Sequence, residues 1–218
     1  MPSSPLRVLR ALDRFHAAHP WDHNARFHRW ILRRLPRRPG SALDVGCGSG
    51  DLVRLLATRA REVHGIDSDP VITAAARALT PADAPVTYTV ADALTGLPDR
   101  TYDAVTCVAV LHHLPLTRAL TVLRDHLAPG GTLVVVGVAR ARTPVDHLLG
   151  AVSVPLNLVL AWYRTGGRPA PRPLSMTAPV READEDFAAI ARAARAVLPG
   201  ARLRRRLFWR YTLVWHRR

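Results

Sequence analysis

The sequence contains no lysine: its 31 basic residues, set against 17 acids, are all arginines. Without the phosphate-gripping lysine of a P-loop, nucleotide hydrolysis of that kind is excluded. Cysteine is nearly absent as well. Cys47 and Cys107 cannot build a disulfide framework or a four-cysteine zinc site, and a reducing, cytoplasmic compartment is expected for such a chain. The longest apolar run, Leu148 to Tyr163, is interrupted by Pro155 and Asn157. It falls short of the roughly 20 residues needed to span a bilayer, so it is expected to lie on a membrane at most. No signal peptide is expected, because Arg7, Arg10, Asp13 and Arg14 interrupt the first apolar residues.

What is present is the composition of a soluble globular chain, 48% hydrophobic and 22% charged over 218 residues. That length suits one substantial core with a terminal extension or an insertion. The net charge of +14 is unevenly spread: Arg26, Arg29, Arg33, Arg34, Arg37 and Arg38 crowd one stretch, and the tail from Arg202 to Arg218 has no acid. Such a surface reads either as solvation or as attraction for an acidic partner or lipid headgroup. Arginine to the exclusion of lysine, beside 18 prolines, is also the habit of a GC-rich genome, which weakens charge as a pointer to function.

The middle of the chain alternates. Ser41 to Val45 reads as a buried strand, followed by glycines and the amphipathic helix LVRLLATRA. EVHGID ends a second strand at Asp67, and Asp69 and Pro70 are suited to cap and start the helix that follows. VTYTVAD, YDAVTCVAVL and TLVVVGVA read as further strands, with the helix LTRALTVLRDHL before the last. This order predicts a mostly parallel sheet with helices on both faces and a ligand site along one edge.

The ends break that rhythm. Residues 22 to 35 read as a helix with an apolar stripe of Phe27, Trp30, Ile31 and Leu35. Residues 143 to 163 form an apolar segment expected to kink at Pro155, and a Pro/Gly/Arg-rich loop follows to residue 181. READEDFAAIARAARAVL reads as a helix throughout, and ARLRRRLFW with RYTLVWHR as two strands joined by a tight turn or as one bulged strand.

LDVGCGSG, Leu43 to Gly50, carries the chemistry. Glycines let the backbone bend sharply and approach a ligand, and here they fall at Gly46, Gly48 and Gly50. The dinucleotide fingerprint requires a further glycine where Asp51 stands, and an acid at a helix N-terminus repels pyrophosphate. The turn instead suits a ligand that tolerates acids.

LDVGCGSG, Asp67 after the second strand, VADAL around Asp92, YDAVTCVAVLHHL and LAPGG before the fifth strand together resemble the class I S-adenosylmethionine-dependent methyltransferases, especially the small-molecule group. The resemblance is strong over residues 22 to 138. It implies a Rossmann-like, seven-stranded, mostly parallel α/β sheet with an antiparallel C-terminal strand pair, and S-adenosyl-L-methionine as cofactor. It also implies that Asp44, Gly46, Gly48 and Gly50 receive the methionine part, that Asp67 with Ser68 holds the ribose hydroxyls, and that Asp92, Ala93 and Leu94 meet the adenine. Val108 would line the same pocket. A carboxylate can accept both hydrogen bonds of a diol, and acids suit a sulfonium and an ammonium. Each acid also has a structural reading: Asp44 as an anchor for turn amides, Asp67 as a helix cap, Asp92 as a loop carboxylate. Cys47, within the cofactor turn, reads as packing rather than as a nucleophile.

His113 and His112 are the candidate bases, since imidazole titrates near working pH and the pair follows the fourth strand; helix capping and packing are the alternative. In related methyltransferases a helix before the first strand folds over the cofactor, which makes Trp21, His23, Asn24, Phe27 and His28 candidate lid residues. No metal is expected, since the spacing of His16, His19, His23 and His28 gives no complete ligand set. The expected organisation is one methyltransferase domain, residues 1–218, with a lid at about 15–36 and an apolar insertion at about 143–181 whose Trp162 and Tyr163 enclose the acceptor. The expected reaction moves a methyl group to an O, N or C atom of a small apolar or aromatic molecule. RNA or protein methylation, or a non-catalytic cofactor-binding interaction protein, are the alternatives. Nucleic acid is disfavoured as a partner; peripheral membrane contact, and a monomer or homodimer, are the other partner expectations.

Overall fold

The computed structural model describes residues 4–177 and 181–218; residues 178–180, within the expected insertion, lie outside the described residues. Seven strands form one sheet: β1 (Ser41–Val45), β2 (Glu62–Asp67), β3 (Val86–Val90), β4 (Tyr102–Val108), β5 (Leu127–Val138), β6 (Arg202–Arg206) and β7 (Arg210–His216). Their order is β3-β2-β1-β4-β5-β7-β6, parallel through β5 and antiparallel for the last two pairings. The order reverses between β1 and β4, which opens a crevice at their C-terminal ends where ligands bind in such sheets.

Alternation along each strand supplies two cores. Leu43 and Val45, with Val105, Cys107, Leu133 and Val135, belong to the core under α5 (Leu116–Asp125) and α7 (Phe187–Val197). Ala42, Ala104, Val134 and Val136 belong to the opposite core under α2 (Ala25–Arg34), α3 (Asp51–Ala57) and α4 (Pro70–Ala78). Asp69 accepts from the amides of Val71 and Ile72 and Pro70 opens α4, as their residue types require.

The ends depart from the sequence reading in three places. A helix not expected from the sequence, α1 (Ser4–Ala18), precedes α2. The apolar segment is a single 21-residue helix, α6 (Pro144–Arg164), long and apolar enough to cross a bilayer by length and composition, and it runs through Pro155. Pro155 lies on the exposed side, where the helical bond it cannot donate costs least. α7 begins only at Phe187 because Asp186 caps it, accepting from the Ala189 amide; residues 181–186 are extended, with the Arg140 amide donating to the Glu185 carbonyl. At the C-terminus β6 and β7 form the expected antiparallel hairpin, and of the two arrangements open in the sequence it is the pair of strands joined by a tight turn. Its turn holds Phe208 and Trp209 at φ 60° and 57°, a left-handed backbone that bulky side chains rarely adopt. Burial of Phe208 beneath Trp21 and α6 holds that turn in place.

Candidate active site

Every strand from β1 to β4 contributes to one edge. Asp44, near the end of β1, is 2% exposed, and its Oδ1 accepts from Thr106 Oγ1 on β4 at 2.6 Å. Burial pushes its carboxyl up to about 7, with the Asp67 charge acting in the same direction. The chain then turns through Gly46, Gly48 and Gly50, all at positive φ (74°, 52° and 75°). The amides of Gly46 and Cys47 donate to the Ile66 carbonyl at 2.7 and 2.9 Å, pinning the turn to β2. The glycines differ in what surrounds them. A Cβ at Gly46 would strike the Val110 side chain and one at Gly50 would strike the Tyr88 hydroxyl, whereas one at Gly48 would meet nothing within 4 Å. Gly48 thus exposes bare backbone to open space, which is where a ligand can approach closely. Cys47 is buried in the core behind the turn, and burial pushes its thiol up and keeps it protonated. It packs there.

Asp67 ends β2. Its Oδ2 accepts from the Gly48 amide at 2.8 Å and its Oδ1 from the Asp69 amide at 3.0 Å, so it braces the turn rather than capping α4, which Asp69 does. Ser68 beside it is exposed. Asp92, past the end of β3, is exposed; its Oδ1 accepts from the Leu94 amide at 2.8 Å and from Thr95 Oγ1 at 3.1 Å, and the Leu94 bond foremost pulls its carboxyl below the usual range. Ala93 and Leu94 are partly buried against the core at the same edge. Val108 closes β4, and Ala109 follows at φ 56°, a strained backbone at the sheet edge.

Beyond β4, residues Leu111–His113 form a short 3-10 turn over a cavity of about 320 Å³. Leu114, Val138, Ile190 and Tyr211 give it an apolar lining, while His112, His113, Arg181, Asp184 and Glu185 bring polar groups. The histidine rings stack with centroids 4.0 Å apart. His112 Nδ1 is buried and has no hydrogen-bond partner among the described residues. Burial, then the charges of His113, Arg210 and Arg181, push its imidazole down to about 4, so it is neutral near pH 7; burial and Arg181 lower His113 also. The packing of Val110 against Gly46 makes the glycine turn and this cavity near neighbours.

Two groups of expected site residues lie elsewhere. Trp162 and Tyr163 are 56% and 75% exposed on α6 and line no part of the cavity. Their apolarity is visible in the sequence, but the direction they face is not. Of the lid candidates, His28 lies half-buried in the fields of Asp22 and Asp51, with its imidazole lowered by burial, and Phe27 shares the core cluster of Cys47 behind the glycine turn. Trp21 Nε1 and His23 Nε2 both meet Asn157 Oδ1 on α6, at 2.6 and 2.8 Å. Asn24 Oδ1 accepts from Arg210 Nε at 3.2 Å, and Phe27 is buried against the sheet. This segment is riveted to α6 and the hairpin instead of standing free to swing. Arg181, Tyr211 and Thr106 escaped the sequence reading. Thr106 is found only through register, since it pairs with Asp44 across β1 and β4.

A reversed parallel sheet with an open glycine turn flanked by acids defines an α/β enzyme built for a nucleoside cofactor that carries positive charge. Comparison with known proteins narrows the class. A family model described as a methyltransferase domain matches residues 43–135. An uncharacterized methyltransferase of Mycobacterium tuberculosis is 34% identical over 203 residues, covering 90% of this chain and 96% of the relative. A trans-aconitate 2-methyltransferase of Methylobacterium radiotolerans is 37% identical over 127 residues, covering 56% of this chain and 48% of the relative. The N-methyltransferase NodS from Bradyrhizobium japonicum, solved with S-adenosyl-L-homocysteine, shares the fold at a TM-score of 0.61 and 18% identity, over 95% of this chain and 97% of that one. The chain belongs to the class I S-adenosylmethionine-dependent methyltransferases, and S-adenosylmethionine is its cofactor.

Proposed function

We propose that the enzyme transfers the methyl group of S-adenosylmethionine to an O, N or C atom of a small organic molecule seated in the cavity below His112. The observation that carries this reading is the closeness of the glycine turn to that cavity: Val110 packs on Gly46, and the next residue, Leu111, lines the cavity. The cofactor supplies an electrophilic methyl on a sulfonium. The rest is positioning and electrostatics. Asp44 and the turn amides would hold the methionine portion, Asp67 would accept from the ribose hydroxyls, and Asp92 would meet the adenine. The apolar lining would hold the body of the acceptor and exclude water, and the neutral imidazole of His112, stacked on His113 at the cavity, is the base where the accepting atom must lose a proton.

A carboxylate acceptor is the second reading. It is favoured by Arg181 in the lining and by the trans-aconitate relative. A carboxylate needs no base, so the two readings predict different behaviour of one variant. With a hydroxyl or amine acceptor, His112→Gln lowers kcat by about 100-fold or more; with trans-aconitate or another carboxylate, it leaves kcat within a few-fold.

Calorimetry with S-adenosylmethionine, S-adenosyl-L-homocysteine and NAD, followed by labelled methyl transfer to a panel of acceptors, tests the reading. Asp67→Ala is expected to weaken S-adenosylmethionine by at least about 100-fold, since two hydrogen bonds to a charged group are lost at about 1.5–3 kcal/mol each. Unchanged affinity would overturn the assignment of Asp67. Binding of NAD alone would overturn the cofactor site as described.

A further inference from the structure

α6 is folded inside out. Ser153, Asn157 and Ala161, spaced by four, face the protein. Ser153 Oγ accepts from the Phe208 amide at 2.8 Å, and Asn157 binds Trp21 and His23. Leu148, Val152, Pro155, Val159 and Trp162 recur every three or four residues and so form one stripe on the opposite side. Leu148 and Val159 are 65% and 62% exposed. Water-soluble helices show the reverse pattern, and a contiguous apolar face of this length marks a contact surface.

We propose that this face docks on an anionic lipid bilayer, with α6 lying flat in the headgroup region. Charge complementarity selects that occupant. From residue 139 to 177 the chain carries five arginines, Arg140 and Arg142 before the apolar stripe and Arg164, Arg168 and Arg172 at its end and beyond, and only one acid. That acid, Asp146, is turned inward to Thr143 and Arg205. Arg142 pairs with Asp186 and Arg164 lies over the Trp21 ring, which leaves Arg140 before the apolar stripe and Arg168 and Arg172 beyond it as the flanking cations, and Trp162 and Tyr163 stand at its end as aromatic side chains do at the membrane interface. A second copy of the chain fits less well. Antiparallel pairing of two α6 helices would bring the arginines at one end against those at the other, a like-charge contact that costs affinity. Spanning also conflicts with the packing. The N-terminus of α6 is fixed through Asp146 to Arg205, its middle to Phe208 and Trp21, and its last turn to His19 through Thr165, so the helix lies along the body.

The test is co-sedimentation of the full chain with vesicles of phosphatidylcholine alone and of phosphatidylcholine mixed with phosphatidylglycerol. The protein is expected to pellet with the mixed vesicles and to be partly released by salt. Leu148→Glu with Val159→Glu is expected to weaken vesicle binding at least about tenfold, since each lost apolar contact contributes about that factor. The cofactor-induced rise in Tm, which reports folding, should remain unchanged. Arg168→Glu with Arg172→Glu should weaken binding to the mixed vesicles by about tenfold or more. No binding to either vesicle, or binding untouched by the apolar pair, would overturn the proposal. So would a dimer in light scattering that the apolar pair dissociates without any vesicle binding, or extraction from vesicles only by detergent, which would mean a spanning helix.

Discussion

Asp44 is held where a carboxylate is costly, and that cost has a sign. Its carboxyl moves from 3.8 to about 7, with burial the main cause. A carboxyl raised in the folded state favours folding most below its unfolded value, and that advantage is lost as pH rises through the folded one. The apoprotein is thus expected to lose stability between about pH 4 and 7, by on the order of a few kcal/mol from this residue. Asp44→Asn, which keeps an oxygen for the Thr106 hydroxyl, should unfold at higher urea than the parent at pH 8 and show a flatter profile across that window. If Asp44 meets the cationic part of the cofactor, binding at pH 6 ionises it, and the calorimetric enthalpy will change with the buffer's protonation heat. A variant no more stable than the parent at pH 8 would mean that the charge is compensated.

Gly46 and Gly48 make a matched pair at the same scale. Both lie at positive φ, so alanine at either is strained by roughly 1 kcal/mol. At Gly46 the new methyl also collides with Val110; at Gly48 it enters open space. Gly46→Ala is therefore expected to destabilise the fold by several degrees in Tm. Gly48→Ala should leave Tm within a few degrees and still lose most S-adenosylmethionine affinity. Equal binding by the parent and Gly48→Ala would place the ligand away from that backbone.

Among the elements, α6 depends on its first turn. Thr143 and Asp146 form a reciprocal cap in which each side chain serves the other residue's amide, and Asp146 also binds Arg205 Nε at 2.7 Å. Bonds from Thr143, Arg205 and Arg142 outweigh burial and hold this carboxyl below the usual aspartate range. Its stabilising effect is present above the ordinary aspartate value and fades as pH falls. Asp146→Ala is expected to cost about 1–3 kcal/mol in urea unfolding at pH 7 and less at pH 3, because it removes a cap and a half-buried ion pair together. Amide exchange should quicken first at the start of α6.

The same elements show what a sequence can disclose. From Ser41 to Val138 the parallel core is readable because short apolar strands alternate with amphipathic helices, with the glycine turn after β1, Asp67 ending β2 and Asp69 capping α4 as punctuation. The glycine turn, Asp44, Asp67 and Asp92 were readable for the same reason. Trp162 and Tyr163 are expected near the acceptor because the chain leaves β5 at the ligand edge, but α6 buries Ser153 and Asn157 and turns these aromatics outward. Arg181 and Tyr211 reach the cavity from a strapping segment and from an antiparallel strand, through pairings that no local pattern carries. The turn between β6 and β7 carries no signal of its own in the sequence, because Phe208 and Trp209 take the left-handed positions that glycine usually fills.

At the scale of the whole molecule, chemistry and docking occupy different parts of one body. The proposed cofactor contacts belong to the C-terminal edge of β1, β2 and β3, while α6 is carried on the hairpin tip and the N-terminal segment through Phe208, Trp21 and Asn157. No residue of the glycine turn takes part in that second cluster. The two activities should then separate by mutation. In the parent, S-adenosylmethionine at about 100 times its Kd should stabilise the fold by about 2.7 kcal/mol. Asp67→Ala should lose most of that stabilisation and bind mixed vesicles as the parent does; Leu148→Glu with Val159→Glu should do the reverse. Phe208→Ala tests the joint itself. Phe208 is 1% exposed and edge-on to Trp21, so its loss is expected to cost about 3–5 kcal/mol. It should weaken vesicle binding through a loosened α6 while the cofactor Kd, measured well below the midpoint of unfolding, stays within a few-fold. A large change in that Kd would mean that the hairpin tip reaches the cofactor edge, and that the two surfaces are coupled through the sheet.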